Sequence, residues 1–466
     1  MSDVANAVSQ PASVTEELSR FVAELSVEKV PADVLHRTKL CILDCLGTIV
    51  AAADSDPGKS ILKAASLFNS SDVATVFGTK QKLSPPKAAL ASGTLAEVFE
   101  LQDGWRFGNN HPCVITPAAF AAAEYRACDG KNFLASVVAG YEVANRLAWA
   151  VHPHHLAKGY LPTGTAGACG AAAAASRVFA HDAERTSESI GTAGFLAPIS
   201  TAETLWAGYT AKPLHSGWAA MTGFESSILA EEGFAGCPVE GSPQRGRGFL
   251  EITTGTVLLE RITRQLGEYY TVKDVYFKLY PACRHSHGSV EAVLNLIKSE
   301  RIDVEKIRAV RVFTYELSAN LLNRYTDVDS SVIAAQFSIP YVVAATLKAG
   351  SIGVEQFALD KRQDTEILEL SRKVEVISDS EITALYPDIT PTRVEIEFAD
   401  GRKISNMVRT PVGDPRTPVD ENTLFEKFNG LVGRKYDHAR VRRITDAIMN
   451  VETYPDMREV TAILGA

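Results

Sequence analysis

The 466-residue chain lacks the features that would tie it to a membrane, a nucleic acid or an oxidising compartment. No apolar stretch is long enough for a membrane span. The best, residues 42–53, is broken by Asp44, Gly47 and Thr48. Basic residues are outnumbered, 47 Lys+Arg against 56 Asp+Glu, and the net charge of -9 excludes a general nucleic-acid or membrane-surface role. It does not exclude an anionic substrate, because a site can be locally basic on an acidic protein. Cysteine is sparse and odd in number, 7 residues between Cys41 and Cys283. That count suits reduced thiols in a cytosolic-type compartment rather than a disulfide framework. Residues 1–15 are polar and small, with no basic stretch leading into an apolar one, so no signal peptide is expected and the expected location is cytoplasmic. No repeat or low-complexity tract occurs. Gly164, Gly167 and Gly170 follow no strand in a βαβ context and form no dinucleotide fingerprint.

What is present is ordinary globular composition, 46% hydrophobic and 22% charged, in a chain long enough for two or three domains. Ser13 and Glu16 make a capping-box pattern ahead of Leu18, Phe21, Val22 and Leu25. Pro31 opens an apolar-periodic segment to about residue 53, and Thr116-Pro117 reads as an N-cap and first helical position. Helices are predicted over 133–151, 164–180, 186–195 and 217–230. Near residue 268 the pattern changes. Val310, Val312 and Thr314, then Val374 and Val376, then Val394, Ile396 and Phe398 alternate with polar residues, and Asp400-Gly401 marks a hairpin. Helical patterns at 289–298 and 338–347 lie between these strands, and helix returns with Leu424, Phe425, Phe428 and Leu431. The expected architecture is mainly α with a smaller α+β domain: a discontinuous all-helical domain, 1–267 plus 409–466, capped by an α+β domain, 268–408. Cys41 and Cys45, four apart on a helix, read as core packing.

Six stretches in order along the chain carry a resemblance. They are Gly140-Tyr141-Glu142-Val143 with Arg146; residues 164–176; Lys212-Pro213-Leu214-His215-Ser216-Gly217-Trp218-Ala219-Ala220; Lys278-Leu279-Tyr280-Pro281-Ala282-Cys283-Arg284; Ala335-Gln336-Phe337-Ser338-Ile339-Pro340-Tyr341; and Gly413-Asp414-Pro415 with Lys427-Phe428. Together they resemble the MmgE/PrpD family, which includes 2-methylcitrate dehydratase, cis-aconitate decarboxylase and iminodisuccinate epimerase. The resemblance implies a helical domain, a smaller α+β domain over it, a cleft between them, a homodimer, and no metal or organic cofactor. It places Lys212 and Lys278 at the active site and gives the histidine of His111-Pro112 an acid or base role.

The chain also departs from the family's pattern. The acidic run before His111 reads Glu100-Leu101-Gln102-Asp103-Gly104 where the family has Asp-Phe-Asp-Asp-Thr. Glu100 replaces an aspartate, Asp103 matches an acidic position, and Gly104 stands where a hydroxyl residue is common. Glu97 and Leu161 occupy positions that often hold histidine, and Cys283 stands where decarboxylase-like members carry one.

A hydrogen on carbon beside an ionised carboxylate is very weakly acidic, and removing it adds a second negative charge to the same group. A site for that chemistry needs cations or strong donors at the oxygens and a base of suitable pKa. Lys212 and Lys278 suit either task, since a lysine in a closed cleft can lose its proton or stay charged and hold a carboxylate. Cys283, Arg284, His285 and His287 precede a helix expected to start near Ser289. Its amides and the Arg284 fork would bind an anion. A metal is the alternative there, and none is assigned. The expected catalytic residues are Lys212, Lys278, His111 and Asp103. Glu100, Tyr280, Cys283, Arg284 and His287 are the expected substrate-binding residues. The expected substrate is a di- or tricarboxylate. The leading reading is a dehydratase-type lyase on a 2-methylcitrate-like acid, with Lys212 or Lys278 as base and His111 as acid. Epimerisation of an amino- or imino-dicarboxylic acid, decarboxylation, and simple acid binding stand as alternatives. His152, His154 and His155 read as a surface loop cluster.

Overall fold

A computed structural model describes residues 13–67, 69–107, 111–242 and 245–465. Residues 1–12 of the polar N-terminal stretch and 108–110 of the turn before His111 lie outside the described residues. The protein is mainly α with a smaller α+β part, and it has two separate apolar cores.

The first core is a packed set of helices. The Ser13–Glu16 capping box starts Val14–Glu24. Ala32–Ala52, Pro85–Glu97, Pro112–Arg126, Gly130–Val151, Thr165–Val178, Ala183–Leu196 and Leu214–Glu231 follow. Small residues bring these helices unusually close. A Cβ on Gly217 would sit 2.2 Å from the Leu90 carbonyl, and one on Gly223 2.4 Å from the Ala171 side chain. The Leu214–Glu231 helix is thereby locked onto both its neighbours. Thr116-Pro117 does not start a helix. Pro112 takes the first helical position, the helix runs to Arg126, and Pro117 lies inside it. A proline inside a helix removes one hydrogen bond, a loss that packing outweighs in this helix, buried from Pro112 to Glu124. His155 is buried, bonded to Thr165 Oγ1 at 2.8 Å, and so belongs to the core edge rather than to an exposed loop.

The second core lies under a four-stranded sheet. Its order is Val374–Ser378, Ile307–Thr314, Thr392–Phe398, Lys403–Val408. The first pair is parallel and the others antiparallel, with Val312 opposite both Val376 and Val394. Gly401, at φ +86, makes the hairpin turn that Asp400-Gly401 predicts. The helices His287–Ser299 and Ile339–Ala349 pack under the sheet.

Tyr270, Val272, Val275 and Phe277 still pack in the helical core, whereas Ala282 and Cys283 belong to the second. The passage between cores therefore falls after Phe277, later than the change of composition near 268. The chain returns through Gly413, whose carbonyl accepts from the Phe277 amide at 2.9 Å. Gly413 has φ +96 and no room for a Cβ, which would lie 2.1 Å from the Phe277 carbonyl. The closing helices Glu421–Val432, His438–Met449 and Met457–Leu464 then complete the first core. No helix among the described residues is long and apolar enough to cross a membrane.

Candidate active site

The site forms where three segments meet. Pro85–Glu97 ends in a tight turn that carries Glu97 and Glu100 on its inner side. The turn before Leu214–Glu231 supplies Lys212. The segment after the short pairing of Gly104–Trp105 with Val275–Tyr276 supplies Lys278. Cys283 N donates to the Gln336 carbonyl at 3.0 Å, and Gln336 Nε2 donates to the Val98 carbonyl at 3.2 Å. The second core is thus tied directly to the Glu97–Glu100 turn.

Lys212 and Lys278 converge on one carboxylate. Lys278 Nζ donates to Glu100 Oε2 at 2.7 Å, and Lys212 contacts the other oxygen, Oε1. Lys212 also donates to Glu97, which in turn accepts from Ser216 Oγ and, at 2.8 Å, from Cys113 Sγ. His215 Nε2 lies 3.3 Å from Glu97. The Phe337 ring of the second core covers Lys212, 5.7 Å from Nζ to centroid. Lys212 is 3% exposed, Lys278 1%, Glu97 0% and Glu100 1%.

Burying four ionisable groups this deeply costs several kcal/mol per ion, and mutual attraction repays it only with good geometry. Such a cluster is a poor device for stability and a good one for holding charge. Burial pushes the Glu97 carboxyl up, but Lys212 and His215 outweigh it and hold it well below the usual carboxylate range. Burial lowers Lys212 from the usual ammonium range, with Glu97 opposing and Lys278 adding to the fall. Lys212 faces two carboxylates, Glu97 and Glu100. Burial also lowers His215, against the pull of Glu97. Glu100 is at φ +51, a left-handed conformation that costs a residue with a Cβ about 1–2 kcal/mol.

His111 stands at the start of the Pro112–Arg126 helix, 1% exposed. Its Nδ1 lies 2.7 Å from Asn145 Oδ1. Asn145 Nδ2 donates to Thr271 Oγ1 at 3.0 Å, which fixes the amide's orientation. Thr271 Oγ1 donates to Glu142 Oε1 at 2.8 Å, and Glu142 is paired with Arg146 at 2.9 Å. Nδ1 therefore carries the proton and Nε2 the lone pair. Nε2 has no hydrogen-bond partner among the described residues, although the Pro162 carbonyl is near enough to favour protonation. Burial overrides Asn145, Pro162 and Glu97 and pushes the imidazole down to about 4. His111 is thus neutral at rest and can accept a proton at Nε2.

Four other expected site residues are placed differently. Asp103 is buried in the helical core, where it accepts from Tyr141 OH at 3.0 Å beside Cys41 and Asp44. Burial and the Asp44 charge push it up to about 8. Arg284 does not offer its fork to an anion. It donates to the Pro411 and Val412 carbonyls at 2.8 and 3.0 Å and lies over the Tyr276 ring. His287 is fully buried with both nitrogens in use: Nδ1 accepts from Arg284 at 3.3 Å and Nε2 donates to the Ala282 carbonyl at 3.2 Å. Tyr280 packs on the His287 ring, 5.0 Å between centroids, and its charged neighbours are Glu291 and Arg284. The helix begins at His287, not Ser289, after a short 3-10 turn, so the expected anion-binding end is consumed by the fold.

Cys283 is 7% exposed and feels both lysines. Burial raises its thiol above the usual range despite them, which leaves it protonated. Among the described residues no group of three His, Cys, Asp or Glu side chains is placed to hold a metal. Sequence reasoning missed Glu97, His215, Ser216, Cys113, Asn145 and Thr271 as members of this network. One signal pointed to Glu97, a glutamate pair three apart at the end of an apolar helix, and another to Asn145, an amide beside Glu142 and Arg146 on a mostly apolar helix.

Known protein families and relatives resemble the chain over most of its length. The MmgE/PrpD N-terminal domain matches residues 16–260 and the MmgE/PrpD C-terminal domain residues 280–453. The chain is 26% identical to the cis-aconitate decarboxylase-like protein oryM of Aspergillus oryzae, over 97% of each. It is 25% identical to the cis-aconitate decarboxylase of Homo sapiens, over 97% of this chain and 94% of that one. It is 23% identical to a probable 2-methylcitrate dehydratase of Saccharomyces cerevisiae, over 86% and 82%. With both domains matched in order over most of its length, the chain belongs to the MmgE/PrpD family.

Proposed function

We propose that the protein is a lyase of the dehydratase type that acts on a small polycarboxylic acid by removing a proton beside a carboxylate. The observation that carries this reading is the convergence of Lys212 and Lys278 in a buried cluster beside a neutral histidine. His111 Nε2 takes the proton from carbon. The electron pair moves onto the adjacent carboxylate, and the ammonium groups of Lys212 and Lys278 donate to its oxygens as the second charge develops. The pair then returns to form the double bond while the β-hydroxyl leaves, taking the proton from the His111 imidazolium, so that the net loss is one water.

Decarboxylation is the second reading. Its support is the similarity to cis-aconitate decarboxylases over 97% of the chain. The same lysines would then hold the carbanion left when carbon dioxide departs. A homodimer is also proposed. Phe195, Ile199, Trp206, Tyr209 and Trp218 are exposed within one stretch of 24 residues (195 to 218), which is more apolar surface than a monomer of this composition needs. Sedimentation velocity checks it, and a single species of monomer mass at micromolar concentration would end that part.

The reaction is tested by incubating the protein in deuterated water with a panel of di- and tricarboxylic and amino-dicarboxylic acids, followed by NMR. Deuterium exchange with water loss is the expected result. Release of carbon dioxide selects the second reading, and exchange with inversion an epimerase. Binding without exchange for every acid would make the protein an acid-binding one and defeat the proposal.

A further inference from the structure

Two donors beside the lysine cluster have no acceptor among the described residues. Arg106 makes no hydrogen bond or ion pair and lies only over the Phe107 ring, 4.5 Å from guanidinium carbon to centroid. The Tyr276 hydroxyl is likewise without a partner. Both line one cavity of about 210 Å³, whose other walls are Asp274, Asp414, Pro415 and Arg416. The neighbouring cations are engaged elsewhere. Lys212 and Lys278 face Glu97 and Glu100, Lys427 faces Asp44, Arg284 holds the Pro411 and Val412 carbonyls, and Arg416 holds Asp414. The positive charge free to meet an incoming anion is therefore at Arg106.

The chain dictates why this cavity adjoins the lysines. In an extended segment, alternate side chains point to opposite faces. Val275 and Phe277 are wholly buried in the helical core, so Tyr276 and Lys278 project from the other face. Two extended residues span about 7 Å, which makes the cavity wall at Tyr276 the next neighbour of Lys278. Burial raises the Tyr276 phenol, and the Lys278 charge pulls it back. Gly104 pairs with Tyr276 and Trp105 with Val275, so Arg106 continues the same ribbon toward His111. The opposite wall comes from Gly413-Asp414-Pro415, a motif that takes no part in the lysine cluster.

We propose that this cavity is an outer carboxylate subsite of the active centre. Arg106 and the Tyr276 hydroxyl bind one carboxylate of the polycarboxylic acid whose reacting end lies at Lys278. The inference rests on the reading of the lysine cluster as the substrate site and deepens it. A guanidinium offers a planar fork that matches a carboxylate, and the phenol adds one donor. Asp414 does not compete for Arg106, because Arg416 holds it at 2.7 and 2.9 Å. Asp274 accepts from Tyr269 OH at 2.5 Å but forms no ion pair among the described residues. Its charge opposes an entering anion, so its removal should improve binding.

The test is titration calorimetry with tricarballylate, an unreactive tricarboxylate, on the full-length protein and on Arg106→Ala, Arg106→Lys, Asp274→Asn and Lys278→Ala. The wild type should bind one equivalent. Arg106→Ala should weaken binding by at least about tenfold, Arg106→Lys should recover part of the loss, and Asp274→Asn should bind tighter than the wild type. Arg106 is exposed, so its replacement leaves the fold intact. Lys278→Ala should weaken the same single binding event. A loss smaller than tenfold in Arg106→Ala overturns the inference and leaves the lyase reading standing. A loss in Arg106→Ala with none in Lys278→Ala also overturns it, since the cavity would then serve a separate acid. The expected losses in both variants, with no isotope exchange in any acid of the deuterium panel, would keep the subsite and remove the lyase reading. No binding of tricarballylate to the wild type overturns both.

Discussion

His111 Nδ1 lies 2.7 Å from Asn145 Oδ1, and the Asn145 amide is held in that sense by its bond to Thr271. The contact selects the tautomer with a free Nε2 lone pair. Asn145 is a positioning residue. Asn145→Ala should lower kcat by about a hundredfold, the usual cost of losing an orienting partner, with little change in KM. Asn145→Asp should instead shift the acid limb of the pH profile upward, since a carboxylate beside Nδ1 favours the imidazolium. Unchanged profiles in both variants would remove Asn145 from the mechanism.

Lys212→Ala and Lys278→Ala should each reduce carbon–deuterium exchange by about 10²–10³-fold, the range typical for a preorganised donor at a developing oxyanion. Circular dichroism should report an unchanged fold. Exchange at more than a tenth of the wild-type rate would remove that lysine from the site.

The pH dependence of kcat/KM should show His111 as the base. Its imidazole is lowered to about 4, so the neutral form is present above that value and lost as pH falls through it. The profile should stay flat from about pH 7 to about pH 5 and fall with an apparent pKa near 4. An acid limb near the ordinary histidine value would mean that another group, or an exposed His111, is the base.

Asp103 should make the protein less stable in alkali. Its carboxyl is raised to about 8 in the folded state by burial and by Asp44, above its unfolded value. A group raised in this way contributes stability fully below the unfolded pKa, and the contribution is lost as pH rises through the folded one. Asp103→Asn, which stays neutral, should therefore melt higher than the wild type at about pH 8–9, by about 3 °C or more, and lose that advantage at about pH 4. Parallel melting curves across the range would show that Asp103 ionises normally.

Arg284→Ala should behave as a stability variant. Two charged hydrogen bonds to the Pro411 and Val412 carbonyls are lost, worth about 2–4 kcal/mol in unfolding free energy. KM should change less than about threefold, as expected of a group that does not touch substrate. A large rise in KM with unchanged stability would restore the anion-binding role that its sequence position suggests.

The helices, the strands and the two lysines were legible in the sequence because each rests on local pattern or on a motif. The 130–151 helix and the Asp400-Gly401 hairpin follow from periodicity and turn chemistry alone. The use of Arg284 and His287 was not legible. Both types bind anions as readily as they bind backbone carbonyls, and only the return of the chain through 411–412 decides it for Arg284, which in turn occupies His287 Nδ1. The Thr116-Pro117 expectation failed because the start signal at Pro112 was as strong and came first. Glu97 and Glu100 were visible as residues, but their lysine partners lie more than a hundred positions away, and no local rule reports that distance.

The closing of the first core by the last three helices has a consequence for synthesis. Val432, Ile448, Met457 and Val460 have no exposed surface in that core, so the large helical body cannot reach its final packing while the ribosome still holds the C-terminal end. The sheet-covered core, built from consecutive residues, can be complete by then. Chains that stop before residue 421 and have left the ribosome should therefore protect residues 282–408 from protease and leave residues 14–231 open to cutting.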